Sequence, residues 1–251
     1  MREDNELLRK RFIELSLKAD RGGYYTYTDF LGLAEQSVLS SVSRQLHTKL
    51  MTYGGTDGAE RIVARFGDPE IIGYDGGYPI KIIRITPKDS RFAEKLTHRD
   101  YLGALVNLGI ERDVMGDIVL CENEVYLFAL EDIADYIVRS LDKVRNTNVR
   151  PEIVDTTPDG PLYKTEAQRI TVESIRIDAI LARICKLSRE GAQALVKRKL
   201  VYVDGRLIDS VSYRPKDGEV ISVRGFGRMI YQGSLGQTKR GRIALSVEIY
   251  K

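Results

Sequence analysis

The chain has 251 residues, 43% of them hydrophobic and 30% charged, with a formal net charge of +3, and this composition excludes both a fibrous repeat and wholesale disorder. No apolar run approaches the ~20 residues of a membrane span, and the opening Met1 to Glu6 lacks the basic-then-apolar order of a signal peptide, so a cytoplasmic protein is expected. Two cysteines, Cys121 and Cys185, and two histidines, His47 and His98, have no partner at metal-ligand spacing, which argues against a disulfide or zinc framework and leaves no cofactor or metal to be expected.

In chain order, Leu8, Phe12, Leu15 and Ala19 recur at three and four, which predicts an amphipathic opening helix ended by Gly22-Gly23. After an aromatic loop, Thr28 or Asp29 starts a second predicted helical region reaching Leu46, followed by a short strand at Leu50 to Tyr53. Ala59 to Phe66 reads as helical and Gly67 to Gly77 as a loop, so residues 1–75 form a small, mainly helical unit. Residues 76–156 are more regular. Strands at Ile80 to Ile85, Asp117 to Cys121, Val125 to Ala129 and Asn148 to Val154 alternate with helices at His98 to Leu108 and Leu130 to Val144, and Glu122-Asn123-Glu124 connects a hairpin. The order β-α-β-β-α-β is that of the ferredoxin-like split motif, shared by RNA-recognition domains. Tyr126 and Phe128 supply aromatics to the third strand without the basic-glycine frame of a base-stacking strand. Asp155 to Pro161 is the predicted linker into a third domain, 157–251, and the whole is expected to be α+β.

Charge separates the ends of the chain. Residues 1–161 hold 21 basic and 27 acidic side chains, a net of −6, whereas residues 162–251 hold 18 and 9, a net of +9. A basic domain behind an acidic body is the electrostatic footprint of a module that meets a polyanion, most often nucleic acid. Within the basic domain, Ile177, Ile180, Leu181 and Ile184 give one helix an apolar face, and Ser188 supplies the N-cap of a second whose buried stripe is Ala192, Leu195 and Val196. The other side of that second helix carries Arg189, Gln193 and Lys197 four residues apart, continued by Arg198 and Lys199. Val201 to Asp204-Gly205 to Ile208 reads as a hairpin, and Asp217-Gly218 starts a further strand at Glu219 to Val223. Arg224, Arg228 and the run Lys239-Arg240-Gly241-Arg242 are glycine-spaced cations able to follow a phosphate backbone or simply to solvate an extension.

The segment Arg176-Ile177-Asp178, then Leu187 to Lys197, then Val201 to Gly205 resembles the S-four domain, an RNA-binding module named for a ribosomal protein of the small subunit. The resemblance implies that the second helix and the following loop dock on structured RNA, with Arg176, Ser188, Arg189, Gln193, Lys197 and Lys199 as contacts; Arg198 in the charge run at the helix end and the outlying glycine-spaced Arg224 and Arg228 join them as candidate contacts. Lys199 stands where that family commonly has glycine, which questions the backbone of the turn. Upstream, Thr28 to Leu31, Tyr53-Gly54-Gly55 with Ala59-Glu60-Arg61, His98 to Leu105 with Leu108 to Arg112, and Gly116-Asp117-Ile118 resemble the bacterial YlmH family over nearly the whole chain. That resemblance implies ribosomal RNA or tRNA as partner, at the large subunit and in quality control of stalled chains.

Catalytic signatures are weak. His98-Arg99-Asp100 has the start of a kinase catalytic loop, but Asn107 falls two places late and no glycine-rich phosphate loop accompanies it. Arg176-Ile177-Asp178 lacks the continuation of a pseudouridine-synthase segment, and Asp178 is expected to pair with a nearby cation. The expected function is non-catalytic RNA binding, without membrane or small-molecule partner. The competing expectations are an RNA-modifying enzyme or subunit using a carboxylate such as Asp100 or Asp117, and an assembly or cell-division scaffold.

Overall fold

The computed structural model describes residues 2–89, 94–121, 124–158, 160–238 and 241–250, divided between two compact units, Met1–Leu162 and Tyr163–Lys251. The first unit holds two sheets with separate cores. Helix α1 (Arg2–Gly22) buries Phe12 and Ala19 against strand β1 (Thr26–Leu31), helix α2 (Leu33–Val42), a single 3-10 turn (Ser43–Gln45), β2 (Leu50–Tyr53) and β3 (Ile62–Phe66); a one-turn helix α3 (Pro69–Ile72) follows. The strands form an antiparallel sheet in the order β1-β3-β2.

Two sequence expectations fail here, each for a physical reason. The helical region expected from Thr28 or Asp29 begins only at Leu33, because Thr26-Tyr27-Thr28 alternates into the core as a strand. Its buried hydroxyls are hydrogen-bonded: Thr26 donates to the Leu15 carbonyl at 2.8 Å, and Thr28 accepts the Ala64 N–H at 2.9 Å. The helix expected over Ala59 to Phe66 is β3, in which Val63, Ala64, Arg65 and Phe66 are all buried. A strand covered on both faces has no alternation, so periodicity cannot tell it from a buried helix. Arg65 is accommodated between the rings of Tyr25 and Tyr78, 4.5 and 5.1 Å from their centroids, and pairs with Asp75 at 2.6 Å.

The second sheet of this unit is built from β4 (Ile80–Pro87), α4 (His98–Asn107), β5 (Met115–Cys121), β6 (Glu124–Leu130), α5 (Glu131–Ser140), β7 (Lys143–Val144) and β8 (Thr147–Val154). Its order, β5-β6-β4-β8-β7, all antiparallel, is the ferredoxin-like arrangement with β7 added at one edge. The expected hairpin connection at Glu122 and Asn123 lies outside the described residues. Helix α5 stops at Ser140, short of the predicted Val144, because Lys143 and Val144 pair back onto β8. Ile83, Ile85, Leu105, Leu127 and Ile137 form the core between this sheet and its two helices.

Motif residues of the N-terminal part join the two sheets. The Arg61 side chain donates to three carbonyls, Met115 at 2.8 Å, Phe30 at 2.8 Å and Arg112 at 2.9 Å, while the Asp117 carboxylate accepts the N–H groups of Glu60 and Arg61 at 2.7 and 3.1 Å. Glycine is required where the layers touch: a Cβ on Gly55 would lie 2.3 Å from the Phe128 ring and one on Gly116 2.7 Å from Phe30.

The second unit is one six-stranded antiparallel sheet, in which β9 (Thr165–Val172) precedes the helix pair α6 (Ile177–Ile184) and α7 (Arg189–Lys197), and β10 (Val201–Val203), β11 (Arg206–Leu207), β12 (Val220–Val223), β13 (Gly227–Gln237) and β14 (Ile243–Tyr250) follow. Its order is β11-β10-β12-β13-β14-β9. The buried stripes of both helices pack with Val201, Ile221, Tyr231, Leu245 and Val247 in one core. Asp204 and Gly205, with φ of 45° and 72°, make the two-residue turn expected of Asp-Gly. The segment of glycine-spaced cations after Arg224 forms a long hairpin, β13–β14. Register shifts between Tyr231 and Gly233 and between Ser234 and Gly236 break its alternation, which is why the pattern did not read as a strand. Lys239 and Arg240 lie outside the described residues.

Candidate nucleic-acid interface

The basic face of the second unit is organised by a single buried carboxylate. Asp178, in the first turn of α6, has a fully buried side chain. Arg176, the N-cap of α6, donates from Nε to Oδ1 at 3.2 Å and from Nη2 to Oδ2 at 3.3 Å. Arg189, the first residue of α7, reaches the same group from the other helix, Nη2 to Oδ1 at 3.0 Å and Nε to Oδ2 at 2.9 Å, and Gln193 one turn later donates to Oδ2 at 3.1 Å. The i, i+4 spacing of Arg189 and Gln193 therefore converges on one point of the neighbouring helix.

Burial by itself raises the Asp178 carboxyl, but the hydrogen bonds from Arg189, Gln193 and Arg176 together outweigh it and hold the group below its ordinary value of 3.8. It is thus a fixed anion. Each arginine gives Asp178 one edge of its guanidinium and retains N–H donors on the other. The side chains of Arg176 and Arg189 are 34% and 42% exposed, so both guanidinium groups stay partly open to the surface. Two planar forks held in fixed orientation match the oxygens of phosphate groups.

Ser188 acts locally, its hydroxyl capping α7 by accepting the Gly191 N–H at 3.0 Å. Lys197, Arg198 and Lys199 are exposed at the C-terminal end of the helix, where cations also complement its dipole. Lys199 takes the left-handed conformation, φ 58°, that the family's glycine would take. Its N–H meets the Val196 carbonyl at 2.9 Å and the Leu200 N–H meets that of Leu195 at 3.1 Å, completing a Schellman motif with a lysine at its C′ position. Lys186, after α6, does the same with φ 53° and a Leu187 N–H to Ala182 carbonyl bond of 3.0 Å. Lys186 escaped sequence reasoning. A lysine just past a helix, where glycine is cheapest, was its only signal.

Arg224 extends the basic end of α7: its N–H binds the Leu200 carbonyl at 2.9 Å and its guanidinium lies 5.4 Å from the Tyr202 ring centroid. Arg228 is placed otherwise, with its guanidinium 4.9 and 4.4 Å from the rings of Tyr163 and Tyr250, and it is not part of the Asp178 cluster. The structure thus brings Arg176, Arg189 and Gln193 together on Asp178, sets Lys197, Arg198, Lys199 and Arg224 at one end of α7, and leaves Arg228 against aromatic rings.

In the first unit the residues considered for chemistry have structural partners. Asp100 accepts the Thr97 N–H at 2.8 Å and its hydroxyl at 2.7 Å, closing a capping box on α4, and these bonds hold its carboxyl below the ordinary range. Asp117 joins the two sheets. Lys81 pairs with Glu131 at 3.0 Å and Arg84 with Glu152 at 2.6 Å. Tyr126 and Phe128 are 3% and 0% exposed, so the ferredoxin-like sheet presents neither ring to a base. Burial, with Glu124 accepting its hydroxyl at 2.5 Å, pushes Tyr126 up to about 12. Among the described residues no group of three or more His, Cys, Asp or Glu side chains is placed to hold a metal, and no helix is long and apolar enough to cross a membrane.

Residues 75–157 match the family model described as "Putative RNA-binding domain in YlmH", and residues 175–221 match the S4 domain, the S-four module. The chain is 33% identical over 228 residues to the Ribosome-associated protein quality control protein P2 of Bacillus subtilis (strain 168), covering 89% of this chain and 87% of that one. Among solved structures, the Cell division protein ylmH from Streptococcus pneumoniae is similar at 19% identity over 60% of this chain and 91% of that one, with a TM-score of 0.48. With an S-four helix pair at one end, a matching RNA-binding domain in the middle and a third of its aligned residues shared with a relative of similar length, the chain belongs to the YlmH family of RNA-binding proteins.

Proposed function

We propose that the protein is a non-catalytic, cytoplasmic RNA-binding factor whose S-four domain grips structured ribosomal RNA or tRNA on the large ribosomal subunit, in translation or in the handling of stalled chains. The observation that carries this reading is the Asp178-centred cluster: two arginine forks and an amide fixed in orientation beside a run of exposed cations at the end of α7. Arg176, Arg189, Lys197, Arg198, Lys199 and Arg224 serve phosphates, and Gln193 serves a ribose hydroxyl or base edge. Ser188 contributes by capping the helix that presents them. The ribosomal assignment is supported by the named role of the Bacillus subtilis relative. Binding without chemistry is supported by the structural engagement of Asp100, Asp117 and Asp178, the carboxylates an enzyme reading would use.

Sedimentation of the protein with purified ribosomal subunits and with tRNA-bearing large subunits tests the reading. Wild type should comigrate with the large subunit and dissociate as salt rises. Arg189→Glu with Lys197→Glu should lower affinity about 100-fold and flatten the salt dependence by roughly two counter-ions. Because Arg189 also holds the buried Asp178 carboxylate, this variant should melt lower than wild type. Lys197→Glu with Arg198→Glu, both exposed and outside that cluster, should weaken binding with thermal melting unchanged and so separates loss of contact from loss of fold. Wild type that bound free RNA but no ribosomal particle would overturn the ribosomal assignment.

A further inference from the structure

The family match assigns RNA binding to residues 75–157, yet the sheet face through which ferredoxin-like RNA-binding domains stack bases is closed here. Phe128 lies beneath Gly55, Tyr126 is buried, and Arg84 on the same face is in ion pairs with Glu152 and Glu124. The opposite, helical side of the sheet is different. A groove of about 490 Å³ runs between α4, the end of α5 and the β7–β8 hairpin, lined by Arg99, Asp100, Asn107, Asp142, Lys143 and Arg145 among others. Three cations gather there in a part of the chain, residues 1–161, that carries a net of −6.

The acidic members are partly offset. Asp100 is held by the capping box and lies 3.5 Å from Arg145 Nη1, whereas Arg99 and Lys143 are exposed and form no ion pair among the described residues. Arg145 sits at the tip of the β7–β8 hairpin with φ 51°, a left-handed conformation that favours glycine. Arg145 also lies 4.0 Å from Glu94, and the lining holds three cations against the carboxylates of Asp100 and Asp142. An arginine in a conformation where glycine is easier, with Arg99 and Lys143 exposed beside it, directs the inference from strain to function. Resting on the RNA-binding reading above, we infer that this α4/α5/β7 groove, and not the sheet face, is where the middle domain holds an RNA phosphate backbone.

The test uses the full chain in two backgrounds, wild type and Lys197→Glu/Arg198→Glu, with purified large ribosomal subunits and protein-free ribosomal RNA as probes. Arg99→Glu/Lys143→Glu should lower affinity for both probes about tenfold and reduce the salt slope by roughly two. Arg145→Gly relaxes the backbone, so it should melt no lower than wild type yet bind about threefold more weakly; this variant separates loss of contact from loss of fold. Ultraviolet cross-linking should place RNA on peptides from α4 and the β7–β8 hairpin. Unchanged affinity and slope in both groove variants, with binding still lost on charge reversal in α7, would overturn the groove while leaving the S-four reading intact. Loss of binding to the subunit but not to protein-free RNA would also overturn it and assign the groove to an acidic ribosomal protein. Absence of RNA binding by wild type would instead remove the reading on which the inference rests.

Discussion

The two units each commit a charged side chain to their interior, and they do so in opposite directions. In the first, half-buried Arg61 faces inward and is satisfied by three backbone carbonyls, so its charge serves to bolt one sheet to another. In the second, buried Asp178 draws two arginines and a glutamine toward itself while their free edges stay at the surface. A cation turned inward ends in a joint, and an anion turned inward ends in a presented array of cations. Net charge alone does not distinguish these uses; the partners do.

The contrast breaks most visibly at Arg61. Arg61→Ala leaves three carbonyls without their donor and should destabilise the first unit by about 3 kcal/mol, seen as a lowered thermal transition, with RNA affinity of the second unit unchanged. If RNA affinity fell equally, the joint would also be part of the interface.

Asp178→Asn sharpens the comparison from the other side. Simple charge counting predicts tighter binding to RNA once a carboxylate is removed, whereas loss of the anion and exchange of one acceptor oxygen for an NH2 donor predicts weaker binding, by about tenfold, because the forks lose their orientation. Filter binding or sedimentation reads the sign directly.

The acid limb of the stability curve gives a smaller effect. Because the folded Asp178 carboxyl lies below its ordinary 3.8, its contribution is fully present above that value and is lost as pH falls through the folded value, so wild type and Asp178→Asn should converge in stability only below about pH 4. Convergence at neutral pH in chemical denaturation would show that the carboxylate adds nothing to folding.

The smallest effect belongs to Lys199→Gly. It removes a left-handed lysine, so the domain should gain up to about 1 kcal/mol while RNA affinity drops roughly threefold. A gain in stability without loss of affinity would show that Lys199 makes no contact.

How much of this was legible in the sequence depended on whether one face of an element met water. Helices α1, α6 and α7 and the Asp204-Gly205 turn could be read, because apolar stripes and a two-residue turn signal sit on half-exposed elements. Strand β3 could not, since Val63 to Phe66 are buried on both sides. Strand β13 was hidden by its bulges, and β9 by five exposed residues at its start, Thr165 to Arg169. Within the candidate site, spacing placed Arg189, Gln193 and Lys197 on one helix face. That Arg176 would join two of them required the third dimension, because the carboxylate that gathers them lies on a different helix.

Strand β9 pairs along its whole length with β14, Thr165 opposite Tyr250 and Val172 opposite Ile243, and the helix pair, β10, β11, β12 and β13 all lie between them in sequence. During synthesis, therefore, the sheet of the RNA-gripping unit cannot close until residue 250 has left the ribosome and been free to return to a segment made some eighty residues earlier. Such non-local pairing is slow, and until it forms β9 has no hydrogen-bonding neighbour. The helix pair and its basic face can assemble first, but they acquire a finished scaffold only when translation has reached the final strand.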